Sequence, residues 1–122
     1  MQFQSRQFGT IVVAAPNGRL GHAEAAAFEQ ALVPLARDPN ATGLVVDLGG
    51  VEYISSVGLR VLMLAAKEMR ARKARIAAAA MQPIVAEIVR ISRFNLVLEV
   101  FATTREAVAS VSPEAAQAFE RG

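Results

Sequence analysis

The chain contains no cysteine, which excludes disulfide staples, thiolate nucleophiles and zinc sites built on thiolates. Its single histidine, His22, has no second histidine to share a metal, so no metal or other cofactor is expected and His22 reads as a surface residue near a helix start. No apolar run approaches the ~20 residues a membrane span requires. The first residues, Met1-Gln2-Phe3-Gln4-Ser5-Arg6-Gln7, lack the basic-then-apolar order of a signal peptide. A cytoplasmic protein with no membrane association is the expectation. Low-complexity tracts and internal repeats are also missing.

What is present is apolar: 53% of the 122 residues are hydrophobic and 20% are charged. That balance suits a folded chain, because disordered ones hold too little apolar area to offset ordering entropy. The length accommodates one domain; residues 1–122 read as one, with a core over about 3–110 and a polar, alanine-rich tail over 113–122. The net charge is +2, a weak attraction for polyanions. Six basic residues fall between Arg60 and Arg75, among them Lys67, Arg70, Arg72 and Lys73. They cluster toward a helix end, where cations meet the negative pole of the dipole, and no aromatics interleave them. Nucleic acid is therefore not an expected partner.

The pattern along the chain alternates strand and helix. Phe3, Ser5 and Gln7 followed by Gly9 and Thr10-Ile11-Val12-Val13-Ala14 predict a two-strand hairpin, and Pro16-Asn17-Gly18 predicts a turn. Ala25, Phe28, Leu32 and Leu35 mark one face of a helix over Gly21–Arg37, with Pro34 expected to end it near Val33 or break its last turn. Leu44-Val45-Val46-Asp47-Leu48 predicts a strand buried on both faces. Asp47 inside this run requires amide donors from the following turn. Leu59, Leu62, Met63, Ala66 and Met69 follow as a helix for which either Ser55 or Ser56 can be the N-cap.

Arg75–Ala79 reads as a strand. Pro83 opens a helix with Ile84, Ile88 and Ile91 on its apolar face, Val97–Phe101 is a strand, and Thr103 or Thr104 caps a short helix through Val108. Together these predict an α/β fold: a mostly parallel mixed sheet of four to five strands with helices packed on it.

Chemistry-bearing motifs are few. Gly49-Gly50 lacks the Gly-Lys-Ser/Thr of a phosphate loop and belongs to no dinucleotide fingerprint, so it reads as a turn. Ser56, His22 and Asp47 could form a hydrolase triad only on paper, without a Gly-x-Ser-x-Gly elbow.

The run Leu44-Val45-Val46-Asp47-Leu48-Gly49-Gly50-Val51-Glu52-Tyr53-Ile54-Ser55-Ser56-Val57-Gly58-Leu59-Arg60-Val61-Leu62, however, resembles the signature of STAS domains of the anti-sigma-factor antagonist type. Asn17-Gly18-Arg19-Leu20 resembles that family's segment before its first helix. Val97–Phe101 with Thr104-Arg105-Glu106-Ala107-Val108 is similar to its last strand and helix, so the likeness covers residues 3 to 110. Gly21 and Ser55 stand where the family often carries acidic residues.

The resemblance implies a non-catalytic protein that binds an anti-sigma factor with serine-kinase activity and thereby releases a sigma factor. It makes Ser56 the phosphorylation position, which a serine phosphatase would reset. The partner-binding positions it implies are Arg19, Gly21, Ser55, Ser56, Val57, Gly58 and Arg60, on a protein expected to be a monomer. The alternative it leaves open is a constitutive STAS subunit that contacts an ATPase or scaffold in a transport or signalling complex. A small-ligand or nucleotide-binding module is a third class, for which the sequence carries no fingerprint.

Overall fold

The computed structural model describes residues 1–121. Strand β1 (Gln2–Phe8) turns back at Gly9-Thr10 and pairs antiparallel with β2 (Ile11–Leu20), in a register from Phe8↔Ile11 to Gln2↔Asn17. β2 is longer than expected, because Pro16-Asn17-Gly18 is strand and not turn. Residues Ile11–Ala14 pair parallel with β3 (Gly43–Asp47), whereas Gly18–Leu20 pair parallel with β4 (Val51–Ile54), with a register shift at Gly18/Arg19. Pro16 falls in the gap between these two partners, where neither parallel ladder asks it for a donor. The sheet continues from β3 to β5 (Arg75–Ala79) and β6 (Glu99–Phe101), both parallel, giving six strands in all.

Helices cover both faces, and strand alternation decides which residue meets which layer. Leu44 and Val46 of β3 face α1 (Ala25–Arg37), α2 (Ser56–Ala71) and α3 (Pro83–Ile91), in a core with Phe28, Leu32, Leu62, Met69, Val85 and Val89. Val45 faces the other way, toward α4 (Thr104–Val111) and α5 (Pro113–Arg121), with Val13, Ala77, Ala107, Val108 and Ala115. Each fully buried Leu, Val or Phe of this kind contributes roughly 1.5–3 kcal/mol.

Several expectations are corrected. α1 starts at Ala25 and runs through Pro34. Pro34 and Gln30 are both exposed, so the carbonyl released one turn back is open to water. In α3 the buried residues are Val85 and Val89, while Ile84 and Ile91 are 56% and 66% exposed; Ile88 is half-buried against the core. The helix is apolar nearly all round, and periodicity alone picked the wrong stripe. β6 begins at Glu99, two residues later than the apolar run, because Phe94–Leu96 form a 3₁₀ turn that leads into it. The segment read as a tail is helical: α5 packs on β1, with Phe119 edge-on to Phe8 at 5.4 Å.

Candidate functional site

The parallel pairing of β2 with β4 brings two distant segments to one end of the sheet. Leu20 lies beside Ile54, so the residues that follow, Gly21 and Ser55, become neighbours. The backbone amide of Ser55 donates to the Leu20 carbonyl at 2.9 Å, and its hydroxyl donates to the same oxygen at 3.2 Å. Ser55 Oγ in turn accepts from the Gly58 amide at 3.1 Å. Ser55 is thus the N-cap of α2, in extended backbone, and it ties the helix start to the end of β2. Gly58 permits this: a Cβ there would lie 2.8 Å from the backbone carbonyl oxygen of Leu20, so α2 can approach β2 this closely only with glycine at that position. A Cβ on Gly50 would lie 1.8 Å from Asn17 Oδ1, and the Asn17 side chain would have to turn away to make room.

Because Ser55 does the capping, Ser56 is free. It is the first residue of α2, exposed, and its hydroxyl makes no hydrogen bond to a described residue. The first turn of α2 contains no acidic side chain. Arg60, exposed, follows Ser56 by four residues and so lies on the same face of the helix. Val57 is half-buried and Gly58 buried.

On the β2 side, Arg19 is exposed and its guanidinium stacks on the Tyr53 ring 4.6 Å from the centroid. The Gly21 amide donates to Glu24 Oε1 at 3.0 Å. The sequence-predicted positions Arg19, Gly21, Ser55, Ser56, Val57 and Gly58 therefore gather around the ends of β2 and β4, with Arg60 one turn along α2. Reading the sequence missed Glu24 and Tyr53. Glu24 follows Gly21 by the three residues over which a carboxylate reaches back to a helix-start amide. The Arg19–Tyr53 stack required the unforeseen strand β4.

The remaining candidates are structural. Asp47 Oδ1 accepts from the Gly49 amide at 2.9 Å, the donor its place in an apolar strand required, and Gly49-Gly50 is the turn between β3 and β4. His22 is exposed ahead of α1, and no hydrogen bond among the described residues links Ser56, His22 and Asp47. Arg72, one of the basic residues clustered toward the end of α2, is half-buried and donates to the Ala36 and Ala41 carbonyls at 2.9 and 3.0 Å, fastening α2 to the end of α1. Among the described residues no group of acidic or imidazole side chains is arranged to hold a metal, and no helix is long and apolar enough to cross a membrane.

A sheet with helices on both faces and a capped helix start at the end of a parallel strand pair define an α/β domain of the STAS type. The family model described as MlaB, STAS domain, matches residues 4–99, and the chain belongs to the STAS family of anti-sigma factor antagonists, which is non-enzymatic. Bordetella bronchiseptica BtrV, a candidate anti-sigma factor antagonist, is 35% identical over 100 residues, which span 82% of this chain and 84% of that one. The crystal structure of an anti-sigma factor antagonist from Mycobacterium paratuberculosis superposes with a TM-score of 0.82 at 22% identity, covering 90% and 92% of the two chains. The phosphorylated form of the Bacillus cell fate determinant SpoIIAA superposes with a TM-score of 0.70 at 18% identity, covering 90% and 99%.

Proposed function

We propose that this protein is a cytoplasmic partner switch: it binds an anti-sigma factor with serine-kinase activity through the surface around Ser56, frees a sigma factor, and is turned off by phosphorylation of Ser56. The observation that carries this reading is the division of labour between adjacent serines. Ser55 is consumed by the cap and the Leu20 carbonyl, which leaves Ser56 as the exposed hydroxyl at the helix start. Arg19, Gly21, Ser55, Val57, Gly58 and Arg60 form the surrounding contact surface. SpoIIAA, which shares the fold, exists in a phosphorylated form, and this supports the same chemistry here.

A phosphate adds about −1.5 to −2 charges at pH 7. On the free protein the helix start tolerates it, but within an interface it must lose water, at a cost of several kcal/mol unless cations meet it. A hundredfold loss of affinity corresponds to about 2.8 kcal/mol and is the expected scale.

The test is phosphate transfer from the cognate kinase followed by mass mapping. Ser55→Ala should still be phosphorylated, while Ser56→Ala should bind the kinase normally and accept no phosphate. Phosphate on Ser55, or none on the wild type, would sink the proposal.

A second reading is a constitutive subunit that contacts an ATPase or scaffold without phosphate. It is favoured by Ser55 and Gly21, which leave both positions without their own carboxylate, and by the MlaB description of the matching family model. Co-purification from the native cell separates the two: an anti-sigma kinase supports the switch, and a transport ATPase supports the subunit.

A further inference from the structure

The sheet face under α4 and α5 is not covered to its corner. There Gln4, Arg6, Val13, Ala15, Asp47 and Phe119 line a cavity of about 230 Å3, smaller than the ~300–1,000 Å3 pockets that bury drug-sized ligands. The register explains the grouping: Gln4 lies beside Ala15 and Arg6 beside Val13, which pairs in turn with Val45, two residues before Asp47. Alternation puts all of these side chains on one face. Val13 and Ala15 make an apolar floor, and Phe119, held against Phe8, makes a wall.

The polar groups at the two sides carry opposite charge and are incompletely used. The Arg6 guanidinium rests on the Phe8 ring at 4.9 Å and forms no ion pair among the described residues. Asp47 accepts one hydrogen bond, from Gly49 to Oδ1, and likewise has no ion-pair partner among them. Strand spacing sets their Cα atoms about 12 Å apart across β1, β2 and β3, with the apolar floor between them and no ion pair joining them among the described residues. Asp47, the last residue of β3, closes the site on that side, beside the point where β2 changes partner from β3 to β4.

The geometry points to a binding site for a small zwitterion whose charges sit at opposite ends of a short methylene chain, the ω-amino acid class. Its carboxylate meets the Arg6 fork, its ammonium meets Asp47, and its methylenes cover Val13, Ala15 and Phe119. An α-amino acid, with both charged groups on one carbon, is too short to span the two. This inference does not depend on the role of Ser56.

Amide NMR titration with 5-aminovalerate tests it, with pentanoate and pentylamine as probes carrying one charge each. The wild type should show saturable shifts at Gln4, Val13, Ala15 and Gly49 with a dissociation constant in the millimolar range or tighter. Arg6→Gln and Asp47→Asn should each weaken binding at least tenfold, and both single-charge probes should bind at least tenfold more weakly than the zwitterion. Asp47→Asn keeps an acceptor for the Gly49 amide, and the variant's own spectrum shows that the fold is retained. Lack of saturation by the wild type, shifts that a folded variant leaves unchanged, or equal binding of pentanoate would overturn the assignment.

Discussion

Gly58 is where the candidate site and the fold share one contact, so its substitution has a calculable cost. In Gly58→Ala the new methyl would lie 2.8 Å from the Leu20 carbonyl oxygen and 2.9 Å from Ile54 Cγ1. The isoleucine can move, but the carbonyl is backbone and already accepts from both the amide and the hydroxyl of Ser55. Relief therefore requires the first turn of α2 to back away from β2, which stretches both bonds. Overpacking of this kind costs about 1–3 kcal/mol. Replacing a helical glycine returns up to about 1 kcal/mol, so Ala should destabilise by roughly 1–2 kcal/mol.

Gly58→Val adds a branched Cβ and should reach about 3 kcal/mol. At this chain length 2 kcal/mol lowers the thermal midpoint by on the order of 8 °C, well within reach of calorimetry or urea unfolding. Gly21→Ala is the control, since its Cβ meets only the Glu24 carboxylate, at 3.0 Å; a change within about 0.5 kcal/mol is expected. Equal midpoints for wild type and Gly58→Val would refute the close approach of α2 to β2.

Three further outcomes follow from the same structure. Ser55→Ala should cost about 1 kcal/mol in urea unfolding through loss of the cap, whereas Ser56→Ala should stay within about 0.5 kcal/mol of wild type; the reverse order would mean that the cap is misassigned. Ala80, at the end of β5, has a φ of +61°, a left-handed conformation that costs a residue with a Cβ about 1–2 kcal/mol, so Ala80→Gly should raise stability by roughly 0.5–1 kcal/mol after its added unfolded-state entropy, and a lowered midpoint would count against it. The Glu87 carboxyl is held below its ordinary pKa by the hydrogen bond from Arg90 and then by that residue's charge. Its folded pKa being depressed, the interaction is present above the ordinary carboxylate pKa and disappears as pH falls through the lowered value; a carboxyl NMR titration should show the low midpoint, and Arg90→Gln should move it up.

The strands and helices legible in the sequence were those whose pattern had one interpretation. β3 is a short apolar run bounded by glycines, and its burial on both faces follows from that. β4 was not legible, because Val51–Ile54 has four residues and alternates too briefly to register. Its existence depends on β2 running past Pro16, and β2 does so only because Pro16 sits between two partners. The missing strand and the mistaken turn are thus one error, the loss of a long-range pairing that local residue chemistry does not encode. In α3 the fault was different: with two apolar stripes available, the choice of Val85 and Val89 over Ile84 and Ile91 is made by the packing of α3 over β4, not by the helix itself.

The candidate site was legible as a segment and not as a mechanism. Ser55 and Ser56 have the same side chain and either could cap; only the bonds to Leu20 and Gly58 separate them. The separation has an energetic consequence for any charge added there. A phosphate on Ser55 would be placed against the Leu20 carbonyl in a half-buried corner, would remove the cap, and would face a desolvation penalty of several kcal/mol with no cation supplied. One on Ser56 would stand in solvent, beside the Ser56 and Val57 amides, which make no hydrogen bond to a described residue. It would also share its helix face with Arg60 and gain about 0.3–1 kcal/mol from the helix dipole. The difference of several kcal/mol favours Ser56 over Ser55 as the place for an added charge while α2 stays docked on β2. A switch at this helix start must then act by altering what the surface binds, with the fold beneath it left in place.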